Sequence, residues 1–148
     1  MHRIAAAIFI AIPAFAAAQD YCALLEKRGP EVFGTKLQAA PLRDPTGNCA
    51  ANNADGSGRL TVGVLRWAGT EAIVASKRKD VREGESSADE PKLGKGAASI
   101  RREKGKQIEF LVPLPDRLLM VVRRERDGLT EAHIDRTRAF VAAARDLR

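Results

Sequence analysis

The sequence has few of the side chains on which most enzyme chemistry depends. Of its 148 residues only two are cysteine and two are histidine, with one tryptophan and one tyrosine. Aromatic residues make up 5% of the chain, too few for the interleaving of basic and exposed aromatic side chains that single-stranded nucleic acid requires. There is no CxxC pair and no cysteine–histidine cluster, so neither a redox couple nor a zinc site is expected. Gly94-Lys95-Gly96-Ala97-Ala98-Ser99 lacks the Walker spacing and leads into a strand, whereas a phosphate loop opens a helix. Gly84-Glu85-Ser86 sits in a polar stretch and not at a strand-to-helix elbow. Asn53-Ala54-Asp55-Gly56 has the look of a calcium loop, but Val62 stands where the closing glutamate belongs, so a hairpin turn is expected there. No apolar run, Ile4 to Phe15 included, reaches the ~20 residues needed to span a bilayer.

His133 is the only histidine outside the first few residues. On a helix its neighbours Glu131 and Asp135 stand about 160° from it around the axis, so the three cannot converge on one metal. A partly buried structural histidine is the reading it supports. No catalytic residue, cofactor or metal site is expected, and the chain does not read as an enzyme.

What is present begins with a leader. Met1-His2-Arg3 is a short positive segment, Ile4 to Phe15 is apolar apart from Pro13, and Ala16-Ala17-Ala18 supplies the small residues that a signal peptidase reads. Residues 1–18 are therefore expected to be a signal peptide and residues 19–148 a single domain, periplasmic or secreted. Cys22 and Cys49, in an exported chain, are expected to pair. A bridge between them stabilises by about 3 to 4 kcal/mol in the loop-entropy picture. Cys22 follows Gln19-Asp20-Tyr21, which is not a lipobox, so no lipid anchor is expected.

The formal net charge of +6 is unevenly spread. From Gln19 to Ala75 basic and acidic residues balance at six each, whereas from Ser76 to Arg148 there are 18 Lys or Arg against 13 Asp or Glu. Lys77-Arg78-Lys79, Arg101-Arg102 and Arg123-Arg124-Glu125-Arg126 carry the excess. Such clusters attract anionic surfaces, but acidic residues interleave with all of them, as they do on a solvated face.

Gln107 to Arg124 organises the rest. Ile108, Phe110 and Val112 alternate with Gln107, Glu109 and Leu111, which predicts a strand with one buried face. After a reversal at Pro113-Leu114-Pro115-Asp116, the run Leu118-Leu119-Met120-Val121-Val122 predicts a strand covered on both faces. Ahead of them, Asp20 caps a helix expected to stop at Lys27 or Arg28, with Gly29 and Pro30 as stop signals. Val32 to Ala40 reads as extended and Pro41 to Asn48 as loop. Cys49 opens a short strand, and Asn52 to Gly58 turns it into a convincing strand, Leu60 to Trp67. Gly69-Thr70 leads into a helix from Glu71 to about Val81. Gly84 to Gly96 reads as a mobile surface loop, and Ala97 to Glu103 starts a meander that the central stretch completes. Thr130 caps the last helix with Leu129 as a staple on Ile134, and Ile134, Thr137, Phe140, Val141, Ala144 and Leu147 share one arc with His133. The fold class is α+β: an antiparallel sheet of about five strands with N-terminal, middle and C-terminal helices packed against it.

Tyr21-Cys22-Ala23-Leu24-Leu25 on a first helix, a second cysteine opening a strand, Leu93-Gly94-Lys95-Gly96-Ala97 turning into a meander, and a closing amphipathic helix together resemble the small exported one-disulfide domains with a PsbP-like α/β sandwich. The resemblance is one of element order over most of the chain. It implies a binding or accessory module with no catalytic residues.

The function expected from the sequence is that of an exported, non-enzymatic domain engaging a protein partner in the cell envelope or outside the cell, of inhibitor or immunity type. The alternative is a binder of a small or lipid-borne anionic ligand through a basic sheet face. The candidate contact residues are Trp67, Arg101, Arg102, Arg123, Arg124 and Arg126.

Overall fold

The computed structural model describes residues 16–67 and 69–147. Residues 1–15, which hold most of the expected leader, lie outside the described residues. The helices are α1 (Ala16–Phe33), α2 (Thr70–Lys79) and α3 (Glu131–Arg145). The strands are β1 (Leu42–Arg43), β2 (Cys49–Asn52), β3 (Gly58–Leu65), β4 (Ser86–Asp89), β5 (Ala98–Arg102), β6 (Gln107–Leu114) and β7 (Arg117–Glu125). All seven join in one antiparallel sheet in the order β1-β2-β3-β7-β6-β5-β4.

The organising stretch sits at the centre. β7 lies between β3 and β6, and its register pairs Val62 with Val121 on one side and Phe110 with Val121 on the other. Side chains alternate across the strands. Ile108, Phe110, Val112, Leu119 and Val121 therefore face one way and pack with Leu25, Ile134, Phe140 and Val141 of α1 and α3. Ala98, Ile100, Leu111 and Leu118 face the other way and pack against Val74 of α2. In the run Leu118–Val122 the α1 and α3 side is buried throughout, whereas on the α2 side Leu118 is buried and Met120 and Val122 are half-buried. Each fully buried Leu, Ile or Phe contributes about 1.5 to 3 kcal/mol.

The Cys22–Cys49 disulfide fastens α1 to β2, with a Cα–Cα distance of 5.5 Å. α3 begins as its sequence predicts. Thr130 Oγ1 accepts from the His133 backbone N–H, and the Thr130 N–H donates to His133 Nδ1, both at 3.2 Å. This reciprocal cap uses histidine where Glu or Gln is usual.

Four expectations need correction, the first being that Asp20 caps the first helix: α1 already runs through it from Ala16. The sheet has seven strands and not about five. β1 lies in the stretch read as loop, and β4 lies in the one read as mobile. β4 pairs with β5 from Ser86↔Arg101 to Asp89↔Ala98. Behind it, Glu90 is buried against Arg138 and Leu93 is buried in the core, so the Gly84–Gly96 segment is fastened at both its strand and its turn. The first helix also runs through Gly29-Pro30 to Phe33. An internal proline costs about 3 kcal/mol, but continuing the helix buries Val32 and Phe33, worth about 1.5 to 3 kcal/mol each. Gly29 does not cap the helix: a Cβ there would come within 2.8 Å of Leu37, so the glycine admits Leu37 to the helix surface. Gly34, at φ +71°, ends the helix instead.

Candidate binding surfaces

Arg123 is among the largest fully buried side chains of the protein, at 1% exposure. Alternation along β7 turns it inward with Leu119 and Val121. Its Nε donates to Glu125 Oε1 at 2.8 Å, and its Nη1 donates to the Val32 carbonyl at 2.9 Å, the His133 carbonyl at 3.0 Å and Thr137 Oγ1 at 3.3 Å. The guanidinium also lies over the Phe33 ring, 5.3 Å from its centroid. It therefore binds the end of α1 and the start of α3 to the central strand. Burial lowers its pKa, and the Glu125 carboxylate opposes that shift. Arg123 is thus removed from the expected contact surface: it is a core residue.

Most of the other clustered cations are paired. Arg102 meets Glu85 at 2.9 Å and Glu109 at 3.5 Å, and Glu109 in turn meets Lys77 at 2.8 Å. This alternating chain ties α2 to the sheet. Arg101 faces the α3 side and meets Glu131 at 3.0 Å, and Arg78 pairs with Asp89. Arg124 meets Glu103 at 2.9 Å and also donates to Gln107. Among the described residues no group of three or more His, Cys, Asp or Glu is placed to hold a metal ion, and no helix is long and apolar enough to cross a membrane.

The six expected contact residues do not form one surface. Trp67 lies just beyond the end of β3 and is 65% exposed. Arg124 pairs with Arg59 near the start of the same strand. From Arg59 to Leu65 is six residues, about 20 Å at strand rise, so Trp67 and the Arg124–Arg126 pair belong to opposite ends of the sheet.

At the Trp67 end, Leu65 lies on the same sheet face as Thr61, Gly63 and Met120, and so does Leu42 through its pairing with Ala50. Leu42, Leu65 and Trp67 are the large apolar side chains that the described residues leave exposed. α2 packs over the β5–β6 half of this face and does not extend over Leu65 and Leu42, while Ala50 and Gly63 on the β2–β3 half are buried.

At the other end lies a groove of about 400 Å³ between the β2–β3 turn and the β5–β6 turn, with Arg59, Lys106, Arg124, Arg126, Glu103 and Glu125 in its lining. The β2–β3 turn is built as a hairpin: Asn53 Oδ1 accepts from the Gly58 N–H, and Asp55 Oδ1 accepts from the Ser57 N–H. Ser57 chiefly, and Arg126 to a smaller degree, hold the Asp55 carboxyl below its ordinary pKa. Arg59 was absent from the expected set because it stands alone in sequence, and Lys106 because Lys104-Gly105-Lys106 reads as a turn.

No protein-family model, no curated protein and no solved structure matches the chain.

Proposed function

We propose that this is an exported, non-enzymatic domain that binds a protein partner in the cell envelope or outside the cell through the sheet face around Leu42, Leu65 and Trp67. The observation that carries this reading is the exposure of Trp67 at 65%, Leu42 at 67% and Leu65 at 36%. Tryptophan is over-represented among the residues that dominate protein–protein affinity, and a small domain gains nothing in solubility from leaving three large apolar groups in water. The disulfide supports export, since such bonds persist in oxidising compartments. The resemblance in element order to PsbP-like domains points the same way, towards a binding or accessory module. An inhibitor or immunity role suits a rigid domain whose contact residues stand on strand ends.

The test is affinity capture with the oxidised protein from envelope and culture-supernatant extracts, run beside Trp67→Ala and Leu65→Ser variants. A stoichiometric protein retained at high salt by the parent and lost by both variants supports the reading. A partner retained equally by all three moves the contact surface elsewhere.

A further inference from the structure

The groove at the other end of the sheet carries an inference independent of the protein-partner reading. Arg59 and Arg124 are direct cross-strand partners in β3 and β7 and project from the same face. Like charges in that relation repel. Glu103 and Gln107 hold Arg124 from the β6 side, but nothing comparable lies between the two arginines. The Nη1 of Arg59 reaches only Asn52 Oδ1, at 3.5 Å. Lys106 in the β5–β6 turn and Arg126 just past the end of β7 close the groove, and the Arg126 guanidinium is placed against the Gly56 carbonyl at 3.4 Å.

The acids of the lining do not cancel this charge. Glu125 is turned inward onto Arg123, at 2.7 Å, and Glu103 serves Arg124 alone. Among the described residues Arg59, Lys106 and Arg126 have no carboxylate within ion-pairing distance. The other basic clusters are largely neutralised by their neighbours, which makes this grouping unusual within the molecule. A compact oxyanion between Arg59 and Arg124 would relieve the cross-strand repulsion and accept from planar guanidinium donors suited to it.

We propose that the Arg59–Arg124 groove is a binding site for a phosphate group, either on a lipid headgroup or on a soluble phosphate-bearing molecule. Lys106 and Arg126 supply the outer contacts. The site lies about 20 Å along β3 from Leu65, so phosphate and a protein partner can be held together.

The experiment is a titration of the oxidised, isotope-labelled protein with inorganic phosphate at constant ionic strength, followed through backbone and arginine side-chain resonances. A parallel sedimentation assay uses vesicles of phosphatidylcholine with and without phosphatidylglycerol. The variants are Arg59→Gln and Lys106→Gln, neither of which loses an ion pair, with Lys79→Gln as the control. Phosphate should shift residues 52–59 and 103–106 together with the Arg59 and Arg124 side chains. Arg59→Gln should weaken binding about tenfold or more, and the control should stay within about twofold of the parent. Sedimentation with phosphatidylglycerol vesicles that Arg59→Gln abolishes identifies a lipid headgroup. Phosphate binding without sedimentation identifies a soluble ligand. Shifts scattered over all basic residues, or an Arg59→Gln variant that binds like the parent, overturn the proposal.

Discussion

Arg123 donates from both Nε and Nη2 to a single oxygen of Glu125, at 2.8 and 2.7 Å, with the arginine 1% and the glutamate 6% exposed. The pair is separated by one residue in β7, so strand alternation turns both side chains to the α1 and α3 face. Gly58, opposite Glu125, makes room for it: a Cβ there would come within 2.7 Å of the carboxylate. Two buried charges are tolerated because each finds the other and because three further acceptors surround Nη1 of Arg123.

Arg123→Met should therefore destabilise the protein by about 3 to 5 kcal/mol, since it leaves Glu125 buried without its counter-charge. Arg123→Met combined with Glu125→Leu should recover about 1 to 3 kcal/mol of that loss by removing the stranded carboxylate. Urea unfolding of the two variants measures both. A double variant no more stable than the single one would mean that Glu125 finds water.

This position is legible in the sequence through strand period. Leu119 and Val121 set the buried face of β7, and the same period continued two steps reaches Arg123 and Glu125. Reading Arg123-Arg124-Glu125-Arg126 as a charge cluster set run composition against strand period, and period decides where side chains point. Arg124, on the opposite face, is where the cluster reading belongs. The central pair β6 and β7, the β2–β3 hairpin, the disulfide and the capped last helix were all legible because each has a local signal.

His133 should make stability depend on pH. Its Nδ1 accepts from Thr130, which requires a neutral ring, and burial chiefly, with the Arg123 charge adding to it, lowers its pKa below the ordinary 6.5. The unfolded chain then binds a proton at a higher pH than the folded one. The stability contribution is complete above about pH 6.5 and is lost as pH falls through the lowered folded value. His133→Gln keeps a side chain able to cap at this position and cannot titrate. The parent should lose stability relative to this variant between pH 7 and pH 5, measured as the difference in urea midpoints. A constant difference across that range would contradict the assignment.

Removal of the disulfide through Cys22→Ala with Cys49→Ala should cost about 3 to 4 kcal/mol, given a sequence separation of 27. Thermal unfolding of the oxidised parent and the double variant reports it. Equal midpoints would mean that α1 and β2 are held by packing alone.

Glu90→Gln should loosen the segment from β4 to Leu93. Glu90 meets Arg138 through two bonds, at 2.8 and 3.2 Å, and the carboxylate raises the pKa of that arginine. Amide exchange over residues 86–94 should accelerate severalfold with little change elsewhere. Unchanged exchange would assign the order of this segment to strand pairing alone. The sequence hid β4 because Ser86-Ser87-Ala88-Asp89 has no apolar alternation, and its support comes from Arg138, distant in the chain. β1 is too short, at two residues, to carry any period. The Trp67 surface was half legible: its place at a strand end marks Trp67 as a candidate contact, while Leu42 joins it only through pairing with Ala50.

Trp67 is the only tryptophan of the chain, so its fluorescence reports on the proposed contact surface without a label. The most direct measurement is iodide quenching of that emission in the free oxidised protein and in complex with a captured partner. Strong quenching is expected when the protein is free, and a blue-shifted, protected emission in the complex, with inorganic phosphate alone leaving it unchanged. A stable complex in which Trp67 remains as open to iodide as before would contradict the proposed contact surface.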